Sequence, residues 1–417
     1  MASAFFSRLG QALASRGHQV SRINFNAGDR LFWRLRGALD FRGTETEWPA
    51  FLADVLAGRG ITDIILFGDC RPLHRRAIQV ARALQVNVHV CEEGYLRPHW
   101  VTFERDGVNG HSSLPRNADW YREIGASLPP LASMPTIPSS FRRRAWEDLL
   151  YNVTTLALQP LYPHYRSHRP RHRLVEYGGW SKKVAMRPMR TRRAALANRR
   201  IDDTTRFFLL PLQLNGDTQI QLHSKFGGMT PVITEIIQSF AGHAAPDTML
   251  VVKEHPLDDG LIDWRRLVAR LAAEAGVADR VVYLEFGDLD WLVSHANGVV
   301  TVNSTTGTLA LGLGIPVMTL GTAIYDIVGL THQEPLDTFW SAPVAPDLDL
   351  YAAFRRVLSS RCLLVGNFFS EAGIRLLVDG AVQRLESDAV VHAAVTVAEG
   401  KRFSDANDGL RDAAVRL

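Results

Sequence analysis

Eight short apolar runs rich in β-branched residues, separated by stretches of helical patterning, constrain this chain more than any other feature. In the first half HQVSRINF, ITDIILFG and VNVHVCE alternate with predicted helices over Trp48–Gly58 and Leu73–Leu84. From Arg206 onward RFFLLPLQ, TMLVVKE, RVVYLE, GVVTVNS and PVMTLG alternate with predicted helices near Val232–Ser239, Trp264–Glu274, Leu289–His295 and after Gly307. Ile61, Ile64, Ile65, Leu66 and Phe67 are nearly continuous rather than alternating, as in strands covered on both faces. This rhythm predicts parallel sheets with crossover helices. The chain has 417 residues, whereas single cores stop growing near ~250–300. The prediction is therefore an α/β fold with two doubly wound, Rossmann-like domains facing a central cleft. The first spans 1–203 and includes a basic helical segment over 140–200; the second spans 204–348; helices over 349–417 pack back across the junction.

Composition excludes several classes. Hydrophobic residues make up 46% and charged residues 22%, so most of the chain can bury a core. Cys70, Cys91 and Cys362 are odd in number and match no metal spacing, which suits a reduced, cytoplasmic setting. No apolar run reaches the ~18 residues of a membrane span, and the opening MASAFFSRLGQALASRG is too interrupted for a secretory signal. Ser140 to Arg206 holds 16 Lys/Arg against five Asp/Glu, a local excess of 11 that leaves the remainder at −7. With Trp146, Tyr151, Tyr162, Tyr165 and Trp180 interleaved, this segment suits an anionic membrane surface; a solvated helical face or an interdomain linker is the alternative reading. No nucleic-acid motif occurs.

In doubly wound folds, ligands bind beyond the carboxyl ends of strands, and the polar candidates fall there. After GVVTV come Asn303, Ser304, Thr305, Thr306 and Gly307, more hydroxyls than a helix cap needs and a candidate anion site. TMLVVKE ends in Lys253, Glu254, His255 and Pro256, which would set a cation and an imidazole at the cleft mouth. After RFFLLPL come Gln213, Asn215, Gly216 and Asp217; Asp217 reads either as a turn residue or as a carboxylate facing the cleft. In the first half, Asp69 precedes Arg71, Pro72 and His74 and reads either as a helix cap or as a cleft residue. Glu92 and Glu93, followed by Tyr95 and Arg97, leave an apolar strand, and alternation points one of the two carboxylates into the cleft. A half-buried carboxyl there can gain the raised pKa of a general acid or base. Two DxD triplets, at Asp288–Asp290 and Asp347–Asp349, read as caps or solvated loops, and no His or carboxylate set has zinc-ligand spacing. No cofactor and no metal are expected.

DCRPLH, CEEGYLRPHWVTFERDGVNGHSSLPR, QLNGD, VKEHPLD, VTVNSTTGTLALGLGIPVMTLG and AIYDIVGLT together resemble the capsular polysaccharide proteins of the KpsS/KpsC type, the retaining β-Kdo transferases, from about Ile23 to Thr331. The resemblance implies a GT-B fold, CMP-β-Kdo as donor, retention of configuration and no required metal. A single transferase unit looks like the KpsS branch, which implies an anionic (lyso)phosphatidylglycerol-type lipid acceptor or its Kdo linker, a peripheral place on the inner face of the inner membrane, and a capsule assembly or export complex as partner. By motif, Asp217 is the implied nucleophile or oxocarbenium stabiliser, Glu92 the acid/base, and His255 a catalytic group gripping the phosphate with Ser304 and Thr305. Lys253, Pro256, Asn303, Thr306 and Gln213 join the donor side, and Asp69, Arg71, His74, Glu93, Tyr95, Arg97 and Asn109 the acceptor side. Similar proteins open with a strand and glycine loop, whereas this chain begins in what is predicted to be the following helix; a late start and a sheet lacking its opening strand both explain that. A relative using another nucleotide sugar, and a non-catalytic assembly or export factor, are the competing expectations.

Overall fold

The computed structural model describes residues 1–131, 136–167, 171 and 173–387; the end of the predicted C-terminal tail, 388–417, lies outside the described residues. Among the described residues the chain divides into two compact units, one formed by 1–42, 136–163 and 364–387, the other by 43–131 and the described residues of 164–363. The predicted runs from Ile61 to Glu92 and from Arg206 to Gly321 all lie in the second unit, on either side of the boundary predicted at 203.

In the first unit, the run HQVSRINF forms β1 (Arg22–Asn24), which pairs in parallel with β2 (Ala38–Asp40) as a separate two-stranded sheet instead of opening the first large one. Asn26 caps the short helix Ala27–Leu31 by accepting the Asp29 N–H at 2.9 Å. The helix Phe141–Ala157 packs here through one face: Tyr151 receives a hydrogen bond from Asn26 at 2.8 Å and donates one to Asp29 at 3.1 Å. Phe5, on helix Phe5–Ser15, meets Phe368 edge-on at 5.4 Å.

The second unit carries the parallel strands β3 (Asp63–Phe67) and β4 (Asn87–Glu93), with β5 (Trp100–Arg105) antiparallel to β4. The antiparallel strand was not predicted, although its connection dictates it. Only the six residues from Gly94 to His99 separate β4 from β5, and a parallel return needs a dozen or more. The N–H of Phe103 on β5 bonds the Cys362 carbonyl at 2.7 Å.

The five later runs form β6 (Phe207–Pro211), β7 (Met249–Lys253), β8 (Val281–Leu284), β9 (Gly298–Thr301) and β10 (Val317–Thr319), all parallel in the order β10-β9-β6-β7-β8. Every residue of β6 and β9 is buried, which explains why these segments read as unbroken apolar runs. Helices Met229–His243 and Trp264–Glu274 cover the sheet through Ile233, Ile236, Phe240 and Val268. In this order the winding reverses between β6 and β9, so a crevice opens beyond their carboxyl ends. The helix Leu348–Arg361 packs on both halves of the unit: Tyr351 donates to the Thr308 carbonyl, and Ala353 lies against Gly125 too closely for a side chain there.

Candidate active site

The crevice between β6 and β9 is stitched by Gln213, buried at 6% exposure. Its amide donates to Asn303 Oδ1 at 3.0 Å and accepts the Asn303 N–H at 3.3 Å, holding the two strand ends in register. Ser304 caps helix Thr305–Gly312, its Oγ accepting the Thr306 N–H at 3.2 Å. Tyr325 braces the turn by donating to the Ser304 carbonyl at 2.6 Å. A Cβ on Gly307 would stand 2.3 Å from the Tyr325 hydroxyl, so only glycine lets that ring lie under the helix start. An open cleft lies here, lined by Tyr95 and Asn109 from the first sheet's loops and by Asn303, Thr305 and Tyr325 from the second half. Thr308 ties the two sides directly, donating to the Tyr95 carbonyl at 3.1 Å.

Glu92, at the end of β4, accepts a short hydrogen bond from the Asn109 amide. Burial pushes its carboxyl up to about 7; the Asn109 bond and Arg71 oppose the rise, while the negative charges of Asp69 and Asp217 add to it. Glu92 and Asp217 thus feel one another although they leave different sheets. Asp217 sits half-buried at the start of helix Thr218–Leu222, its carbonyl accepting the Ile220 N–H at 3.0 Å. Tyr95 donates a short hydrogen bond to Glu104 and accepts the Asn109 N–H at 2.6 Å, which orders the Asn109 turn.

His255 follows β7. Its Nδ1 accepts the Leu257 N–H at 3.0 Å, and burial, helped by the charges of Arg97, Lys253 and Lys183, depresses its pKa to about 4. The imidazole is therefore neutral, carries its proton on Nε2, and serves as a hydrogen-bond donor rather than as a cation. Arg97 and Glu93, paired at 2.9 Å, both act on His255, which puts the loop after β4 within electrostatic range of the loop after β7. Lys253 is buried and donates to the Glu254 carbonyl at 3.0 Å; burial and the neighbouring Lys183 and Arg190 lower its pKa. Pro256 is exposed beside it.

Some candidates have structural partners. His74 bonds the Gly68 carbonyl at 2.7 Å, and Arg71 lies over the Phe67 ring at 5.3 Å. Asp69 does not cap helix Pro72–Ala83, whose cap residue is Arg71; its carboxylate turns back to accept the Val108 N–H at 3.1 Å and His111 Nδ1 at 3.0 Å. Asp288 and Asp347, from the DxD triplets, cap the helices that follow them. Part of the basic segment is internal: Lys183 and Arg190 clasp Glu254 at 2.9 and 2.6 Å, and Arg190 and Arg193 hold Glu285. Sequence spacing did not single out His111 and His223, which meet beside Asp69 with ring centroids 4.7 Å apart.

Residues 62–369 match the family described as "Capsule polysaccharide biosynthesis protein". The chain is 35% identical over 356 residues to the "Capsule polysaccharide export protein KpsS" of Escherichia coli, covering 85% of this chain and 91% of that protein. It is 34% identical over 377 residues to the "Capsule polysaccharide modification protein LipB" of Neisseria meningitidis serogroup B, covering 88% and 89% respectively. Among solved structures, the KpsC β-Kdo 2,7 transferase of Thermosulfurimonas dismutans aligns over 81% of this chain and 89% of its own at 17% identity with a TM-score of 0.40, too distant to bear on the site. With the family match running through both large sheets and two capsule proteins aligned over most of its length, the chain belongs to the capsule polysaccharide biosynthesis protein family.

Proposed function

We propose that the chain is a GT-B-like retaining glycosyltransferase that moves Kdo from CMP-β-Kdo to an anionic lipid of the (lyso)phosphatidylglycerol type. The observation that carries this reading is the electrostatic coupling of Glu92 with Asp217 from opposite sheets, with the Glu92 carboxyl pushed up to about 7. Donor binds on the β6–β10 side: the Ser304 turn and the Nε2–H of neutral His255 hold the phosphate that leaves with CMP, with no metal ion at that position. As the bond to phosphate breaks, Asp217 either bonds the anomeric carbon or faces it as a stabilising charge. In the first case the acceptor hydroxyl forms the new bond as the Asp217 ester breaks, Glu92 takes the hydroxyl proton, and two displacements at one carbon retain its configuration; in the second the hydroxyl, again losing its proton to Glu92, attacks from the face the phosphate leaves. Incubation with CMP-Kdo, generated in place, and a lysophosphatidylglycerol analogue is expected to give a β-linked product. In thermal-shift measurements CMP should raise the melting temperature more than UDP or GDP; a preference for UDP would favour a relative using another nucleotide sugar, and absent donor turnover would favour an assembly factor.

The membrane contact belongs to the helix Phe141–Ala157. Opposite its packed face, Trp146, Leu149, Leu150, Val153 and Leu156 form an exposed stripe at helical spacing, with Trp146 at 64% and Val153 at 52% exposure, and the exposed Arg142, one turn before Trp146, stands at its N-terminal end. No helix among the described residues is long and apolar enough to cross a membrane. In this reading the stripe lies along the interface of the inner leaflet. Trp146→Glu with Val153→Glu is expected to lower flotation with anionic liposomes about tenfold or more while leaving the melting temperature within a few degrees, since two buried apolar side chains contribute roughly 1.5–3 kcal/mol each.

A further inference from the structure

We propose that Asp69, Cys70, His111 and His223 form a site for one divalent transition-metal ion of the zinc class. Each residue offers a donor atom, and these atoms all lie within 4.8 Å of one another. Cys70 Sγ stands 3.1 Å from Asp69 Oδ1 and 3.3 Å from His223 Nε2, and His111 Nδ1 is 3.0 Å from Asp69 Oδ2. A tetrahedral ion with bonds of about 2.0–2.3 Å separates its ligands by roughly 3.3–3.8 Å, so small side-chain rotations close the set around an ion. A thiolate, two imidazoles and a carboxylate match zinc or cobalt; magnesium and calcium take oxygen donors.

Two further observations point the same way. His223 is held next to its partners by the absence of a side chain at Gly110, where a Cβ would fall 2.3 Å from the ring Nδ1. Asp69 accepts the Val108 N–H at 3.1 Å, the kind of outer contact that orients a ligating carboxylate. Asp69, Cys70 and His223 are buried, while the half-exposed His111 ring gives an ion a way in.

The ligands come from the loop after β3, the turn after β5 and the segment after helix Thr218–Leu222, and the His223 carbonyl accepts the Thr322 N–H at 2.6 Å. An ion there clamps the first sheet's loops to the second half beside Glu92 and Asp217. It touches none of the residues assigned to the donor phosphate. The proposal goes beyond the transfer reading, and its test reads metal content rather than turnover.

Tag-free protein, purified by gel filtration and analysed by inductively coupled plasma mass spectrometry, is expected to carry or take up about one zinc per chain. Titration of the stripped wild-type protein with cobalt should produce a thiolate-to-cobalt charge-transfer band that saturates at about one equivalent. The double variant Cys70→Ser, His223→Ala should retain less than about a tenth of an equivalent, whereas Cys362→Ser, which changes a buried cysteine outside the cluster, should keep the full complement. Folded wild-type protein that neither carries nor takes up stoichiometric zinc or cobalt overturns the proposal and leaves a hydrogen-bonded cluster only. Stoichiometric metal retained by the double variant overturns it as well. If the double variant does not fold, the wild-type titration decides alone.

Discussion

Glu92→Gln is expected to cut transfer by about 10²–10⁴-fold and, above neutral pH, to make the folded protein more stable. The two effects share one cause. Burial, with Asp69 and Asp217 nearby, holds the Glu92 carboxyl at about 7 against an ordinary value of 4.5. The folded state therefore binds more protons than the unfolded chain between those two values, and wild-type stability falls as pH rises from about 4.5 to about 7. Glutamine carries no ionisable proton and can still accept the Asn109 bond through its amide oxygen, so it escapes that loss. Urea unfolding of the two proteins should coincide near pH 4 and separate by roughly 1–3 kcal/mol at pH 8, the variant being the more stable. Activity runs the opposite way, because a general base must be ionised: the wild-type rate should climb with pH to a plateau above about 7. A variant that keeps full transfer removes Glu92 from the chemistry, and one that is less stable at pH 8 removes the strained carboxylate.

The strands that bury both faces were legible in the sequence because nothing polar interrupts them, and the helix Trp48–Gly58 matches its predicted span. What escaped depends on connections and on distance along the chain. β5 alternates modestly and returns after six residues, so it was visible only by counting the loop. The run at Arg22–Asn24 looks like any other parallel strand, and its partner at Ala38–Asp40 is too short to announce itself. Among candidate site residues, Gln213, Ser304 and His255 stand out in the sequence because each closely follows a strand. The contact of Asp69 with His111 spans 42 residues and that of Cys70 with His223 spans 153, so no local spacing marks them. The charge excess over 140–206 does not mark which of its cations are exposed: Lys183, Arg190 and Arg193 face inward, because Glu254 and Glu285 at the ends of β7 and β8 need cations where they are buried.

Asp217→Asn should lower transfer on the order of 10³-fold or more, and its second effect separates a chemical role from a structural one. Removing the Asp217 charge takes away one of the two carboxylates that raise Glu92, so the Glu92 titration, followed by carbon NMR on ¹³C-glutamate-labelled protein, should move down from about 7. A turn residue remote from the cleft would leave that midpoint in place. The same pair distinguishes a covalent nucleophile from an electrostatic stabiliser. In Glu92→Gln the donor half of the reaction keeps its carboxylate at Asp217 and its phosphate contacts at His255 and Ser304, but the acceptor hydroxyl loses its base. A covalent intermediate would then form and wait, and the intact mass of Glu92→Gln mixed with CMP-Kdo should rise by one Kdo residue, an increase absent when Asp217→Asn is added. No mass increase, together with a Glu92 midpoint that still shifts in Asp217→Asn, assigns Asp217 the stabilising role: its negative charge faces the oxocarbenium-like carbon without bonding to it, and retention must then come from attack on the face the phosphate leaves.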